Sequence, residues 1–212
     1  FLSRGLDIKL DTTIVSIRRE GGRWTLIDDG NNALEGYDWV VLTAPAPQTA
    51  ILAADNPQLK TLCNERELLG CFSLMLGFDA PLELPWQAAM VRNSDVSWVS
   101  VNSSKPGRKS PFTLVVHSTN EWASAHIDED TDRVREHLLS EASVACGKDL
   151  RAGAYCQLHR WRYANIAKQS GPTCFFDDET KLAACGDWFV HGRIEASFSS
   201  ANDLASQLRE RL

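Results

Sequence analysis

The run Gly186-Asp187-Trp188-Phe189-Val190-His191-Gly192-Arg193-Ile194-Glu195-Ala196-Ser197-Phe198 sets small residues and a carboxylate before a helical pattern at Ser199–Leu212. The start of a helix presents unpaired backbone N–H groups and about half a positive charge. Such an end attracts anions or electron-rich ligand atoms. A carboxylate just ahead of it, Asp187, could accept hydrogen bonds from the hydroxyls of a polyol. The same spacing also suits a plainer arrangement, a strand, a turn and a C-terminal helix closing a domain. A second candidate lies in Gly153–Tyr163. Strand alternation there puts His159, Trp161 and Tyr163 on one face and Arg160 and Arg162 on the other. Three amphipathic rings on one face could line a cavity over a flat heterocycle by stacking and hydrogen bonding. A half-buried aromatic strand in a core would look the same.

The elements that must hold these residues are readable in outline. A β-branched run within Asp11–Arg19 predicts a strand. Glu20-Gly21-Gly22-Arg23 reads as a turn, Trp24–Ile27 as a second strand, Asp28-Asp29-Gly30-Asn31 as a tight turn, and Ala33–Tyr37 as the return strand. The unbroken apolar run Asp38-Trp39-Val40-Val41-Leu42 predicts a strand buried in a covered sheet. It stops at Ala44-Pro45-Ala46-Pro47, and a helix follows from Gln48 to about Ala54. Cys71–Phe78, Ala88–Arg92, Val96–Asn102 and Phe112–His117 predict an antiparallel meander. Thr119 or Asn120 can cap a short helix through His126. Asp130–Cys146 predicts a longer helix, with Val134, Leu138, Ala142 and Ala145 on one stripe and Gly147 at its end. Gly153–Tyr163 returns as a strand.

Composition narrows the function classes. With 212 residues, 43% hydrophobic and 24% charged, the chain has the make-up of a globular protein of one large or two small domains. A net charge of −6 argues against nucleic acid or an anionic membrane as partner. The dense basic cluster at Lys105-Pro106-Gly107-Arg108-Lys109 reads as an exposed turn. The six cysteines show no C-x-x-C spacing and no histidine at zinc spacing, so reduced thiols and no metal site are expected. Nothing approaches the length of an apolar membrane span. A cytoplasmic location follows as the expectation. No G-x-G-x-x-G occurs anywhere in the sequence.

Four stretches together carry a family resemblance: Gly186-Asp187-Trp188 with Gly192-Arg193-Ile194-Glu195, Val40 through Gln48, Ser118 through His126, and His159-Arg160-Trp161-Arg162-Tyr163-Ala164. In this order they resemble the glutathione-reductase-like FAD oxidoreductases, most of all the renalase-like branch of bacterial type within the flavin-containing amine oxidase superfamily. The resemblance implies a mixed α/β (α+β) fold. Residues 1–58 and 183–212 would belong to an FAD-binding domain split in sequence. Residues 59–182 would form a substrate domain, a mainly antiparallel sheet with helices on one face. FAD is the implied cofactor, a small organic molecule the implied substrate, and an NAD(P)H-related compound a candidate donor.

By family position, the backbone of Val15 would meet the adenine, and the strand end Thr43-Ala44-Pro45 would approach the dinucleotide. Gly186 would let the backbone come close, and Asp187 would bind the ribityl chain. Arg193, Ile194 and Glu195 would lie against the cofactor at the helix start, with the backbone groups of Ile194 and Glu195 near the phosphate or pyrimidine end. Trp161, with His159 and Tyr163, would face the substrate side of the flavin and take the catalytic positions. The sequence departs from the family pattern at Ala196, where Gly is usual, at His191, where a small residue is usual, and at Ser199-Ser200, where Ser-Gly is usual. The family's G-x-G-x-x-G binds the pyrophosphate. Without it the chain reads as the C-terminal part of a longer protein, inactive by itself. Hydride transfer from a dihydronicotinamide isomer with reoxidation by O₂, amine oxidation, and a non-catalytic module without flavin are the three functions this reading leaves open.

Overall fold

The structure is a computed structural model that describes residues 3–53, 55–108 and 111–211. The chain divides into two compact units, with breaks at Glu67/Leu68 and Asn165/Ile166.

The first unit is built from both ends of the chain. Its antiparallel ribbon is β1 (Ile14–Glu20), β2 (Arg23–Asp28) and β3 (Ala33–Tyr37). Gly21 and Gly22 turn β1 into β2 with φ of 59° and 84°, backbone that an L-residue adopts only with strain. Trp24 anchors the ribbon: its indole is buried and its Nε1 donates to the Thr180 carbonyl at 3.0 Å. A second sheet has the order β10 (Phe175–Asp177), β11 (Leu182–Ala184), β4 (Val40–Leu42). β11 runs parallel to β4 and antiparallel to β10.

β4 was expected to be buried on both faces. Instead Val40 and Leu42 are buried while Val41 is 40% exposed, so its burial alternates as for a sheet covered on one side. α1 spans Ala46–Leu52. It starts ahead of Gln48 because Pro47 falls in the first turn, where a missing N–H costs nothing. Its expected end near Ala54 lies outside the described residues. α2 (Pro57–Asn64) was not read from the sequence, yet Asn56 caps it through Leu59 N–H at 2.9 Å and Pro57 sits at its first position. α5 spans Ile194–Arg209.

The second unit is one antiparallel sheet with helices on one face. Its order is β6 (Ala88–Met90), β7 (Val96–Val101), β8 (Phe112–Ser118), β5 (Leu69–Phe78), β9 (Tyr155–Asn165). α3 (Asn120–Ala125) and α4 (Thr131–Cys146) connect β8 to β9. Phe72, Leu74, Leu76 and Phe78 project from alternate positions of β5 into a core shared with Val99, Val116, Ala123, Val134, Leu138 and Ala142. Thr119 is the cap of α3, accepting from Trp122 N–H at 3.2 Å, while Asn120 donates to the Gly70 carbonyl at 2.7 Å. Asp130 caps α4 through the N–H groups of Asp132 and Arg133, and Gly147 closes it at φ 60°. None of the helices among the described residues is long and apolar enough to cross a membrane.

The unit boundaries differ from the expected 59–182. α2, β10 and β11 go with the flanking segments, because β11 takes its parallel partner from residues 40–42.

Candidate cofactor and substrate sites

The Gly186 stretch lies wholly in the first unit. It is no strand: Asp187–Phe189 forms one tight helical turn directly after β11. α5 opens at Ile194, five residues before the expected Ser199, so Ile194 and Glu195 belong to its first turn. Arg193 stands at the cap position and supplies no side-chain cap. Its carbonyl accepts from Ala196 and Ser197 N–H, which leaves the N–H groups of Ile194 and Glu195 without an acceptor among the described residues. The side chains of Arg193, Ile194 and Glu195 are exposed.

The structure joins this stretch to the strand end at Ala44. Trp188 is fully buried, stacks on Phe189 and donates from Nε1 to the Ala44 carbonyl at 3.1 Å. The same carbonyl accepts from Thr49 Oγ1 at 2.8 Å. On the other side, Gly186 N–H donates to Ser200 Oγ at 3.0 Å, and Ser200 Oγ donates to the Thr173 carbonyl at 2.6 Å. Thr43, Ala44 and Pro45 are therefore tied, through Trp188, to Gly186 and Asp187. Trp188 and Ser200 are the residues that sequence reasoning did not assign. Trp188 stands inside the motif, and an indole between a Gly-Asp pair and an apolar residue was the available signal.

Gly186 is required by its neighbours. An added Cβ would meet Trp188 Nε1 at 2.8 Å and Cδ1 at 2.9 Å. Asp187 sits in partial burial, which pushes its carboxyl above the usual range, while the backbone N–H of Trp188, its own N–H and the charge of His191 pull the other way. A desolvated carboxylate with backbone donors alone is an acceptor held ready for a hydroxyl. Close by, His191 Nδ1 is buried with no hydrogen-bond partner. These groups fit a ligand bearing hydroxyl or amide-like atoms, as the ribityl and ring parts of a flavin do. Val15 is half exposed in the bulge of β1, where the register steps from Ile14 to Ser16 and skips it. Its backbone is thus free of the β1–β2 ladder. A cavity of about 320 Å³ opens elsewhere in this unit, lined among others by Arg19, Trp24, Leu52, Asn56 and Leu182, and holds none of the residues of the Gly186 stretch.

The aromatic strand lies in the second unit, on β9. His159 and Trp161 share a face, with ring centres 4.1 Å apart. Trp161 is 52% exposed and donates from Nε1 to Ser73 Oγ at 3.1 Å. Tyr163 is half-buried. On the opposite face Arg160 reaches the Glu129 carbonyl at 2.7 Å, and Arg162 pairs with Asp128 at 2.5 Å. The register extends the first face into a row across all five strands: Met90, Trp98, His117, Ser73, His159. Burial holds the His117 imidazole below the usual histidine range, aided by the charge of Lys105. No Asp or Glu occurs in any of these five strands.

A Gly-Asp turn between a parallel strand and a helix start, and a separate antiparallel sheet whose helix-free face is aromatic, agree with the mixed α/β fold expected of an FAD-dependent oxidoreductase. Comparison with known proteins agrees. The sequence model of the family described as flavin containing amine oxidoreductase matches residues 2–183, and the chain belongs to that family. It is similar to mouse (Mus musculus) renalase, with 21% identity over 97% of this chain and 64% of the relative. Among solved structures it resembles a proposed protoporphyrinogen oxidase from Exiguobacterium sp. 255-15, with TM-score 0.75, 18% identity, and 97% and 48% of the two chains covered. It also resembles a putrescine oxidase variant, with TM-score 0.71, 13% identity, and 100% and 51% covered. At these identities the structural likeness is one of fold. The chain spans about half to two thirds of the length of these relatives.

Proposed function

We propose that the protein to which this chain belongs is a renalase-like FAD-dependent oxidoreductase. Its donor is a small dihydronicotinamide isomer, and O₂ is the terminal acceptor. A bound flavin supplies a two-electron hydride acceptor that O₂ restores. This chain supplies the surroundings. Asp187 accepts hydrogen bonds from the ribityl hydroxyls, and the uncapped start of α5 favours negative charge at the pyrimidine end of the ring. Thr43-Ala44-Pro45 and the Val15 backbone lie along the dinucleotide. The face of β9 carrying His159, Trp161 and Tyr163 receives the donor, where a flat ring can stack and be oriented.

The observation that carries the choice of donor is the composition of that face. The row Met90, Trp98, His117, Ser73, His159 is built of apolar, aromatic and hydroxyl side chains, and its strands hold no carboxylate to balance an ammonium. A neutral, flat dihydropyridine ring suits it better than a cationic amine. The second reading, amine oxidation, is favoured by the family description. Anaerobic mixing of the flavin-loaded whole protein with dihydronicotinamide isomers and with simple amines separates the two. Flavin absorbance is expected to bleach far faster with the former, and bleaching by amines alone would overturn the proposal.

A further inference from the structure

We infer that His191 is a ligand-contacting residue of the flavin site, with its buried Nδ1 placed to meet a polar atom of the ribityl or isoalloxazine half of the cofactor beside Asp187. The inference rests on the flavin reading above and adds a residue at a position where the family pattern has a small one.

Three observations lead to it. First, His191 Nδ1 is buried without a partner among the described residues. Buried polar nitrogens are almost always satisfied in native proteins, so an orphan marks the place of an atom that arrives with something else. Second, the ring is on a fastened loop. Val190 N–H donates to the Asp187 carbonyl at 2.9 Å and the Val190 carbonyl accepts from Gln169 N–H at 2.7 Å, while Gly192 N–H donates to the Ile166 carbonyl at 3.2 Å and Arg193 N–H to the His191 carbonyl at 2.7 Å. A residue whose backbone is pinned on both sides has its Cα–Cβ direction fixed, and the ring can take only the few staggered rotamers about it. Third, the nearby titratable group is a carboxyl, that of Asp187, desolvated and within electrostatic reach of His191.

The pairing selects the ligand. A carboxylate repels phosphate, so the pyrophosphate is a poor occupant. Ribityl hydroxyls and the alternating N and C=O edge of the isoalloxazine ring offer both donors and acceptors. An imidazole nitrogen can match either, by choice of tautomer. The ligand-free protein then carries the cost of the orphan and recovers it on binding.

The test uses FMN as probe, because it carries the flavin half without the adenylate half, and ADP as the complementary probe. The ¹⁵N-labelled chain is titrated with each while the imidazole resonances are followed, and FMN affinity and melting temperature are measured for wild type, His191→Phe and His191→Asn. Asn places an amide where Nδ1 stood; Phe leaves only carbon. We expect FMN, and not ADP, to shift the His191 Nδ1 resonance. His191→Phe should weaken FMN roughly 10-fold while leaving the ligand-free melting temperature unchanged or raised, and His191→Asn should recover most of the affinity. Undiminished FMN affinity in His191→Phe overturns the inference and leaves the flavin reading standing. A lowered melting temperature without rescue by Asn also overturns it, because the histidine is then part of the packing. A shift with ADP alone removes the assignment to the flavin half. No FMN binding by the wild-type chain at millimolar concentration overturns the inference, while the flavin reading stands or falls on the bleaching of the whole protein.

Discussion

In the stretch around Asp187 the groups committed to packing and the carboxyl group are carried by different residues. The Gly186 backbone and the Trp188 indole are committed inward, to Ser200 and Ala44. The Asp187 carboxyl is not. Its burial raises its pKa, so in the folded chain it retains a proton at a pH where the unfolded chain has lost it. Stability therefore falls as pH rises from below the ordinary carboxylate range through the raised value, and the deficit persists at neutral pH. Asp187→Asn should melt at or above wild type at neutral pH, with the gap closing as the pH is lowered below that range; melting scans across pH check this. A charge-assisted hydrogen bond is worth about 1.5–3 kcal/mol. Asp187→Ala should thus weaken FAD roughly 10- to 150-fold in the flavin-binding whole protein, measured by flavin fluorescence. Unchanged affinity would take Asp187 out of the site. Gly186→Ala makes the contrasting case. Its new methyl meets the Trp188 indole at 2.8 Å, and the loss should appear in stability, about 1–3 kcal/mol by denaturant titration.

At the scale of elements, α4 holds the second unit's sheet to one face. Leu138 is fully buried in that core. Leu138→Ala should cost about 2–5 kcal/mol, read from chemical denaturation, without altering the row of side chains on the opposite face. Elements of this kind were legible in the sequence. The stripe Val134, Leu138, Ala142 with Asp130 before it and Gly147 after it announces α4, and alternation announces β9 and the shared face of His159 and Trp161. Elements whose pairing is non-local were not legible. β10 and β11 are three residues each, too short for a periodic signal, and β11 is a strand because residues 40–42 lie beside it. The start of α5 escaped because it has no capping side chain and its first two turns carry the exposed, apolar Ile194 and Phe198, which read as continuing loop. The candidate site divided the same way. Asp187 and Trp161 were named from motif and alternation. The role of Trp188 was hidden because its partner, Ala44, lies 144 residues away.

For the molecule as a whole, the absence of G-x-G-x-x-G from the sequence removes the usual cradle for the pyrophosphate. The 212-residue chain is expected to purify colourless and to bind FAD poorly. Stoichiometric flavin after desalting would contradict this. Its thiols offer a check on the packing of the first unit. Burial pushes the Cys63 thiol up to about 11, with Arg66 partly opposing. Cys174 and Cys185 are likewise buried and raised, whereas Cys156 is exposed. A thiol-reactive dye at mildly alkaline pH should label Cys156 first and reach Cys63, Cys174 and Cys185 only on unfolding, as peptide mapping would reveal.

The parallel pairing of β4 with β11 also sets an order of events during synthesis. Residues 68–165 form an uninterrupted segment, free to fold as soon as it leaves the ribosome. Val40-Val41-Leu42 must wait for residues 182–184, roughly 7–28 seconds at about 5–20 residues per second. Throughout that interval an apolar strand has no partner on its β11 edge. The nascent chain is then most exposed to chaperone capture and misassembly, and a translational pause between Asn165 and Leu182 would lengthen that exposure.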